Sequence, residues 1–231
     1  MIWDTLKKSL LTELAQRIDS KADEADRASL HNLAAAFYGR FPAEDMRDRS
    51  VENLYGCLYG LLRFMHSWPD TSPKIRIFNP EIQTHGWESK CTVVAILCRG
   101  IPFCTASVRG ELNRRNLTIH SIASSNLAIE RNESRELVAL LNDEEAAGSR
   151  IPEEAVLYFE IGRHSNPAEL EELRQTLADI LQEVAMVVDD FPAMGDRLQE
   201  VASQIRASEC VELELREEAA AFIEWLRDAH M

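Results

Sequence analysis

The sequence predicts an α+β fold in which a split β-α-β-β-α arrangement lies between helical flanks. Between about residues 75 and 190, short β-prone runs alternate with amphipathic helical stretches, whereas apolar residues on either side recur only at helical spacing. We therefore expect three regions. They are a helical amino-terminal region over 1–70, an α/β domain over 74–191 and carboxy-terminal helices over 192–231.

The amino-terminal region is predicted to contain three helices. Apolar residues recur every three or four positions through 3–40, which indicates two helices, and Pro42 ends this stretch. A third helix is expected after Ser50, a good capping residue, and it ends before Trp68-Pro69.

The period of the apolar residues changes after this region. Residues 75–78 are short and β-prone, and 91–98 is apolar at both parities, which is typical of a strand covered on both faces. We therefore place 91–98 inside the sheet. Residues 117–129 again have strand character. Residues 155–161 alternate in period two, which predicts a half-buried strand.

Helices are predicted to follow two of these strands. The first runs over 102–115, after Gly100 and Pro102 break the strand. The second has a clear start signal, with Asn166 as the cap and Pro167 at the first helical position, and is expected to end at Phe191-Pro192. Two more helices are expected over 194–207 and 213–229. The last has no stop signal before Met231, which predicts a longer natural chain.

The composition excludes some functions. The 231 residues include 25 Lys and Arg against 39 Asp and Glu, a net charge of −14, so the phosphates of nucleic acids and anionic membranes repel the chain. The longest uncharged apolar run, 91–98, is far shorter than the roughly 18 residues of a spanning helix. We therefore expect no nucleic acid and no membrane as partners. We also expect a cytoplasmic protein whose five cysteines are reduced thiols.

Catalytic and cofactor motifs are missing from the sequence. No two of the nine glycines are two positions apart, which excludes a G-x-G-x-x-G dinucleotide fingerprint. The spacing of Cys91, Cys98 and Cys104 does not suit zinc, so buried thiols are expected. His120 lies in a predicted strand, where a structural role is more common than a catalytic one. We predict no catalytic, cofactor-binding or metal-binding residue in this chain.

One turn has a physical reason to bind a ligand. It consists of Arg99, Gly100, Ile101, Pro102 and Phe103. The turn joins a strand to a helix N-terminus, where free backbone N–H groups and the positive end of the helix dipole favour an anion. Residues 75–131 carry seven basic side chains against four acidic ones. The alternative is that these arginines pair with acids of the flanking helices.

Short motifs follow one another in a recognisable order. They are 76–80 (RIFNP), 86–89 (GWES), 92–94 (TVV), 102–103 (PF), 107–115 (SVRGELNRR), 119–120 (IH), 158–161 (YFEI), 187–191 (VVDDF) and 222–230 (FIEWLRDAH). In this order they resemble the amino-terminal region of the large bacterial NAD-dependent glutamate dehydrogenases. The resemblance covers about residues 50–231, and its specificity lies in the ordered series.

The resemblance implies a multidomain enzyme that oxidatively deaminates L-glutamate to 2-oxoglutarate with NAD. It implies that 74–191 is an ACT-like, ferredoxin-like sandwich without a catalytic role. NAD would then be a cofactor of the full-length enzyme only, and downstream domains and other subunits would be the partners. Arg99-Gly100, Ala106 and Gly162 depart from the acidic residues that the family commonly has there. If those acidic residues form a ligand or interdomain site in relatives, this protein has lost that site or changed its charge preference.

Three functional hypotheses follow. The first is a regulatory and assembly segment of such an enzyme, inactive alone, with an amino-acid effector at the turn. The second is a stand-alone ACT-like module that senses an amino acid. The third is a purely structural oligomerisation domain. The sequence leaves open whether residues 1–45 pack on the ACT-like domain.

Overall fold

The computed structural model describes residues 2–39, 41–47, 49–208, 210 and 212–227. In chain order the elements are α1 (Ile2–Lys21), α2 (Glu24–Gly39), a 3₁₀ helix (Glu44–Met46), α3 (Val51–Met65), β1 (Lys74–Phe78), α4 (Ile82–His85), β2 (Thr92–Arg99), α5 (Cys104–Arg114), β3 (Ile119–Arg131), β4 (Leu137–Leu140), α6 (Asp143–Ala147), β5 (Glu153–Ile161), α7 (Pro167–Ala207) and α8 (Leu213–Arg227). The chain divides into two units, Met1–Gln182 and Glu183–Met231, and each is described by itself.

The five strands form one antiparallel sheet in the order β1-β2-β5-β3-β4. The series β2, α5, β3, β5 and α7 places β5 between β2 and β3. This is the predicted split β-α-β-β-α arrangement, and the predicted fold class is confirmed. β1 extends the sheet beyond β2. Strand β4, which the sequence did not reveal, is only four residues long and pairs with the end of β3.

Helices cover both faces of the sheet. Helices α1, α2 and α3 share one hydrophobic core with Val93, Ala95 and Tyr158 of the sheet, and the Phe37 ring lies 5.2 Å from the Tyr158 ring. The residues of β2 with the opposite parity, such as Val94, are buried on the other face. That face carries α5 and the first part of α7. Residues of the amino-terminal region therefore pack directly on the ACT-like sheet.

Strand β2 is buried from Thr92 to Cys98, so the predicted interior strand is confirmed. The strand predicted over 155–161 is confirmed as β5, but its predicted half-buried character is wrong, because β5 is buried from Glu154 to Ile161. One face of β5 carries polar residues and was therefore expected to face solvent. The amino-terminal helices cover that face. The Tyr158 hydroxyl donates to Glu160 Oε1 at 2.9 Å, so these polar groups are bonded inside the protein.

One buried ion pair joins the amino-terminal region to β5. Arg49 donates to both carboxylate oxygens of Glu160, at 2.8 and 2.7 Å, and to the Asp45 carbonyl at 2.7 Å. Burial alone would lower the pKa of Arg49, but its hydrogen bonds to Glu160 outweigh burial and raise it. Burial also raises the pKa of the neighbouring Cys57 thiol to about 11, so this thiol is protonated at neutral pH.

A second buried ion pair lies at the far end of the same strand. Arg131 donates from Nε and Nη2 to the two oxygens of Glu154, both at 2.6 Å. The same guanidinium donates to three carbonyls, those of Met65, His66 and Arg135. Arg131 therefore connects β3 and β5 with the end of α3.

The start of α7 is confirmed, since Asn166 Oδ1 accepts from the Ala168 N–H at 3.1 Å and Pro167 is the first helical residue. The predicted end at Phe191-Pro192 is wrong, because α7 continues through Pro192 to Ala207. A proline removes one backbone hydrogen bond, and the stretches before and after it both have strong helical periodicity. Residues 194–207 are therefore part of α7. The helix predicted over 213–229 is α8, and its last two predicted residues, 228 and 229, lie outside the described part of the chain.

The two glycines of α3 differ in the space around them. A Cβ at Gly56 would lie 2.7 Å from Trp87 Cβ and 3.1 Å from the Gly86 carbonyl oxygen. A Cβ at Gly60 would meet only Trp87 Nε1, at an ordinary 3.6 Å. Trp87 therefore packs against α3 at Gly56 and leaves room beside Gly60.

We expect Gly60→Ala to raise the free energy of unfolding by about 0.5–1 kcal/mol, because alanine favours the helix. Gly56→Ala is expected to lower it by about 1–3 kcal/mol, because the new methyl overlaps Trp87. Urea denaturation of both variants measures the two changes under one condition. Stabilisation by both substitutions would contradict the packing of Trp87 on Gly56.

Candidate effector site

The turn 99–103 is held against the start of β5. Arg99 is the last residue of β2 and pairs with Glu154. The Gly100 N–H donates to the Glu153 carbonyl at 2.9 Å, and a Cβ at Gly100 would lie 2.7 Å from that oxygen. Only glycine fits this approach. The backbone of the turn is therefore fixed, and the Gly100 donor is already used.

Helix α5 begins at Cys104, two residues later than predicted. The reason is Phe103, whose φ of 71° is left-handed and lies outside the helical region. Phe103 caps the helix without a side-chain hydrogen bond, and its ring is 68% exposed. The Ile101 N–H donates to the Arg99 carbonyl at 2.9 Å. The donors that remain for an anion are those of the first turn of α5, which have no partner within the helix.

Two thiols lie behind the turn. The hydrogen bond that Cys98 shares with Cys104, followed by burial, raises the pKa of Cys98. The same hydrogen bond lowers the pKa of Cys104. Cys98 is therefore the donor of the pair, and both cysteines are free. Within the described residues, no group of three His, Cys, Asp or Glu side chains is placed to hold a metal ion.

Arg114, Arg115 and Arg131 have carboxylate partners close by. Arg114 and Arg115 both bond Glu111, at 2.6 and 2.7 Å, and Arg115 also reaches Glu172 of α7 at 3.1 Å. The hydrogen bond between Glu111 and Arg114, together with the one from Arg115, lowers the pKa of Glu111 to about 2. Arg131 pairs with Glu154. These three arginines hold the fold together and do not contribute charge to the turn.

His120 is exposed on β3, next to the irregular register between Ile119 and Ser121. The structure brings it together with none of the residues of the turn. In the described ranges, no helix is long and apolar enough to cross a membrane.

A cavity that the sequence did not reveal lies between α3, β1 and α4. Its volume is about 310 Å³. Its lining comes from five stretches of chain within residues 57–158, which no local pattern could bring together. One usable signal was present, because Arg76 and Phe78 are two apart in a predicted strand and so point to the same face.

Residues 33–177 match the family model of the glutamate dehydrogenase ACT1 domain. The chain belongs to the glutamate dehydrogenase ACT1 family. The resemblance inferred from the ordered motifs is thereby confirmed. The matched stretch of the ACT1 chain includes the second half of α2 and all of α3, so the family's boundary agrees with the packing of these helices on the sheet.

Curated relatives of this chain are much longer than the chain itself. It is 35% identical over 219 residues to the NAD-specific glutamate dehydrogenase of Halomonas elongata, an alignment that covers 94% of this chain and 14% of that protein. It is 31% identical over 222 residues to the NAD-specific glutamate dehydrogenase of Pseudomonas aeruginosa, with 96% and 13% covered. The ACT1 chain thus spans about one seventh of the length of these relatives.

Proposed function

We propose that this chain is the non-catalytic, amino-terminal regulatory and assembly segment of a cytoplasmic NAD-dependent glutamate dehydrogenase. The full-length enzyme would convert L-glutamate, NAD and water to 2-oxoglutarate, ammonium and NADH. One observation carries the proposal: two NAD-specific glutamate dehydrogenases align with nearly the whole chain over only 14% and 13% of their own lengths. The sequence has no dinucleotide fingerprint, so the nucleotide and catalytic residues would belong to other parts of that enzyme.

The assembly role is supported by apolar side chains on the unit Glu183–Met231. Among the described residues of this unit, eight large ones are between 45% and 64% exposed, namely Met186, Val187, Phe191, Met194, Leu213, Leu215, Phe222 and Trp225. The rings of Phe222 and Trp225 stack with their centres 6.0 Å apart, and contiguous exposed apolar side chains mark surfaces that contact another protein. The expected partners are downstream domains and other subunits of the same enzyme.

The regulatory role would place an amino-acid effector at the turn 99–103. Arg99 supplies positive charge there, the first turn of α5 supplies N–H donors, and Phe103 supplies an exposed ring. An effector carboxylate would bind at the helix N-terminus. Its side chain would contact Phe103.

The proposal predicts that the purified 231-residue chain forms no NADH from L-glutamate and NAD, as measured by absorbance at 340 nm. Deamination by this chain would overturn it. Calorimetry with amino acids tests the effector, and we expect Arg99→Asp to abolish binding because it reverses the charge at the turn. The control is Lys90→Asp, at an exposed basic residue just before β2, the opposite end of that strand from Arg99. Amino-acid binding that survives Arg99→Asp would exclude the turn as the site.

A further inference from the structure

We propose that the cavity between α3, β1 and α4 binds a small amphipathic carboxylate, a molecule with one carboxylate and a compact apolar body. The cavity is separate from the turn 99–103. The proposal concerns binding alone and does not depend on the enzyme to which the chain belongs.

The walls of the cavity are apolar and partly aromatic. Val93, Ala95 and Tyr158 of the sheet line it, and Phe64 and Phe78 add aromatic side chains. A volume of about 310 Å³ lies at the lower end of the range of small-molecule sites. The cavity therefore suits a body the size of a phenylalkyl or short aliphatic group.

Three basic side chains line the same cavity, and none of its described lining residues is acidic. They are Arg63, Arg76 and His85. Neither arginine forms an ion pair with a described residue, although the whole chain has a net charge of −14. The Arg76 guanidinium lies 4.2 Å from the centre of the Phe78 ring, which fixes its position beside the apolar wall. A guanidinium placed in this way offers paired donors to a carboxylate.

Trp87 supplies an independent observation. Its side chain is only 4% exposed, and its indole N–H makes no hydrogen bond to any residue that the structure describes. The indole nitrogen itself is not completely buried, so it stays accessible from the space beside it. Trp87 Nε1 lies beside Gly60, which lines the cavity too, so an acceptor inside the cavity is within its reach.

His85 adds a further donor. Its Nδ1 accepts from the Glu81 N–H at 3.1 Å, so the neutral ring carries its proton on Nε2. Burial, followed by the charge of Arg76, lowers the pKa of His85, which keeps the ring neutral at pH 7. The cavity thus offers hydrogen-bond donors in a basic, apolar setting. A carboxylate matches the paired donors of a guanidinium, and the apolar walls suit an organic body attached to it.

The test is calorimetry of the 231-residue chain with 3-phenylpropanoate as the probe. We expect saturable binding, and binding at least about tenfold weaker for 3-phenylpropan-1-ol, which has the same body without the charge. Arg63→Gln and Arg76→Gln are each expected to weaken binding of the acid about tenfold. The matched control is Arg150→Gln, an exposed arginine outside the cavity, which should leave the affinity unchanged.

Gly60→Leu tests the cavity itself, because the leucine side chain would occupy the space beside Trp87 and abolish binding of the probe. Circular dichroism shows whether this variant is folded. Arg76→Gln, at an exposed residue, tests the site without filling the cavity. Two results would overturn the proposal. One is the absence of saturable binding of the acid at millimolar concentration, and the other is equal affinity in the wild type and the Arg63→Gln/Arg76→Gln double variant.

Discussion

Glu154→Gln is expected to lower the free energy of unfolding by about 3–5 kcal/mol, one of the largest effects of any single substitution in this chain. The side chains of Arg131 and Glu154 are only 4% and 7% exposed, so removing the carboxylate charge leaves a buried guanidinium without its counter-charge. Urea denaturation at neutral pH measures the change. The matched control is Glu171→Gln at an exposed Arg174–Glu171 pair, where we expect a loss of at most about 0.5 kcal/mol.

The double variant Arg131→Met/Glu154→Leu separates the charge from the rest of the network. Replacing a buried pair by apolar residues is often neutral, but here it would also remove the donor to the carbonyls of Met65, His66 and Arg135. We therefore expect only partial recovery of stability. A cost below about 1 kcal/mol for Glu154→Gln would show that the pair is solvated in the folded protein.

Phe37→Ala is expected to lower the free energy of unfolding by about 3–5 kcal/mol. The Phe37 side chain is 1% exposed, and its ring contacts Tyr38, Phe41 and Tyr158 with centroid distances between 4.9 and 5.8 Å. The substitution leaves a cavity between α2 and the sheet. Far-ultraviolet circular dichroism and tryptophan fluorescence should shift together in urea, because Trp68 and Trp87 belong to the core that the amino-terminal helices and the sheet share.

Phe103→Ala is the control for this prediction. Its ring is 68% exposed, so we expect a change of no more than about 0.5 kcal/mol. A Phe37→Ala variant in which only the helical signal is lost, while the sheet unfolds at the wild-type midpoint, would contradict the shared core.

Local sequence signals predicted the elements whose ends are set by local chemistry. Ser50 caps α3 through the Asn53 N–H, as expected from its position before an apolar stripe. Asn166 and Pro167 start α7. The run 91–98 was recognised as an interior strand because both of its parities are apolar. The ordered motifs then identified the family, which the match over 33–177 confirms.

The errors arose where distant residues decide the outcome. Glu160 looked like a solvent-facing residue because its partner, Arg49, lies 111 positions away. Pro192 looked like a helix end, but proline stops a helix only when the flanking residues do not favour one. Strand β4 was missed because four residues carry too little pattern to separate a strand from a loop.

The sequence predicted the turn 99–103, but it did not predict which of the turn's backbone N–H groups already have a hydrogen-bond partner. The Gly100 N–H is used by the Glu153 carbonyl, 53 positions along the chain, and no local pattern reports that contact. The cavity between α3, β1 and α4 was missed for the same reason, since Tyr158 reaches it from β5. Features within one stretch of chain were predicted, whereas contacts between distant stretches could not be.

The covering of the sheet on both faces limits how this domain can meet other proteins. Its flat surfaces are already occupied by its own helices, so a neighbouring domain or subunit cannot stack on the strands. Contacts are left to the outer helix surfaces and to the two edge strands. The edge at β1 carries Lys74 and Arg76, which discourage strand-to-strand pairing. On the other side β4 pairs only with residues 129–131 of β3, so residues 119–128 have no strand partner there among the described residues. Association through helix surfaces or through the β3 edge is thus the route that this architecture leaves open.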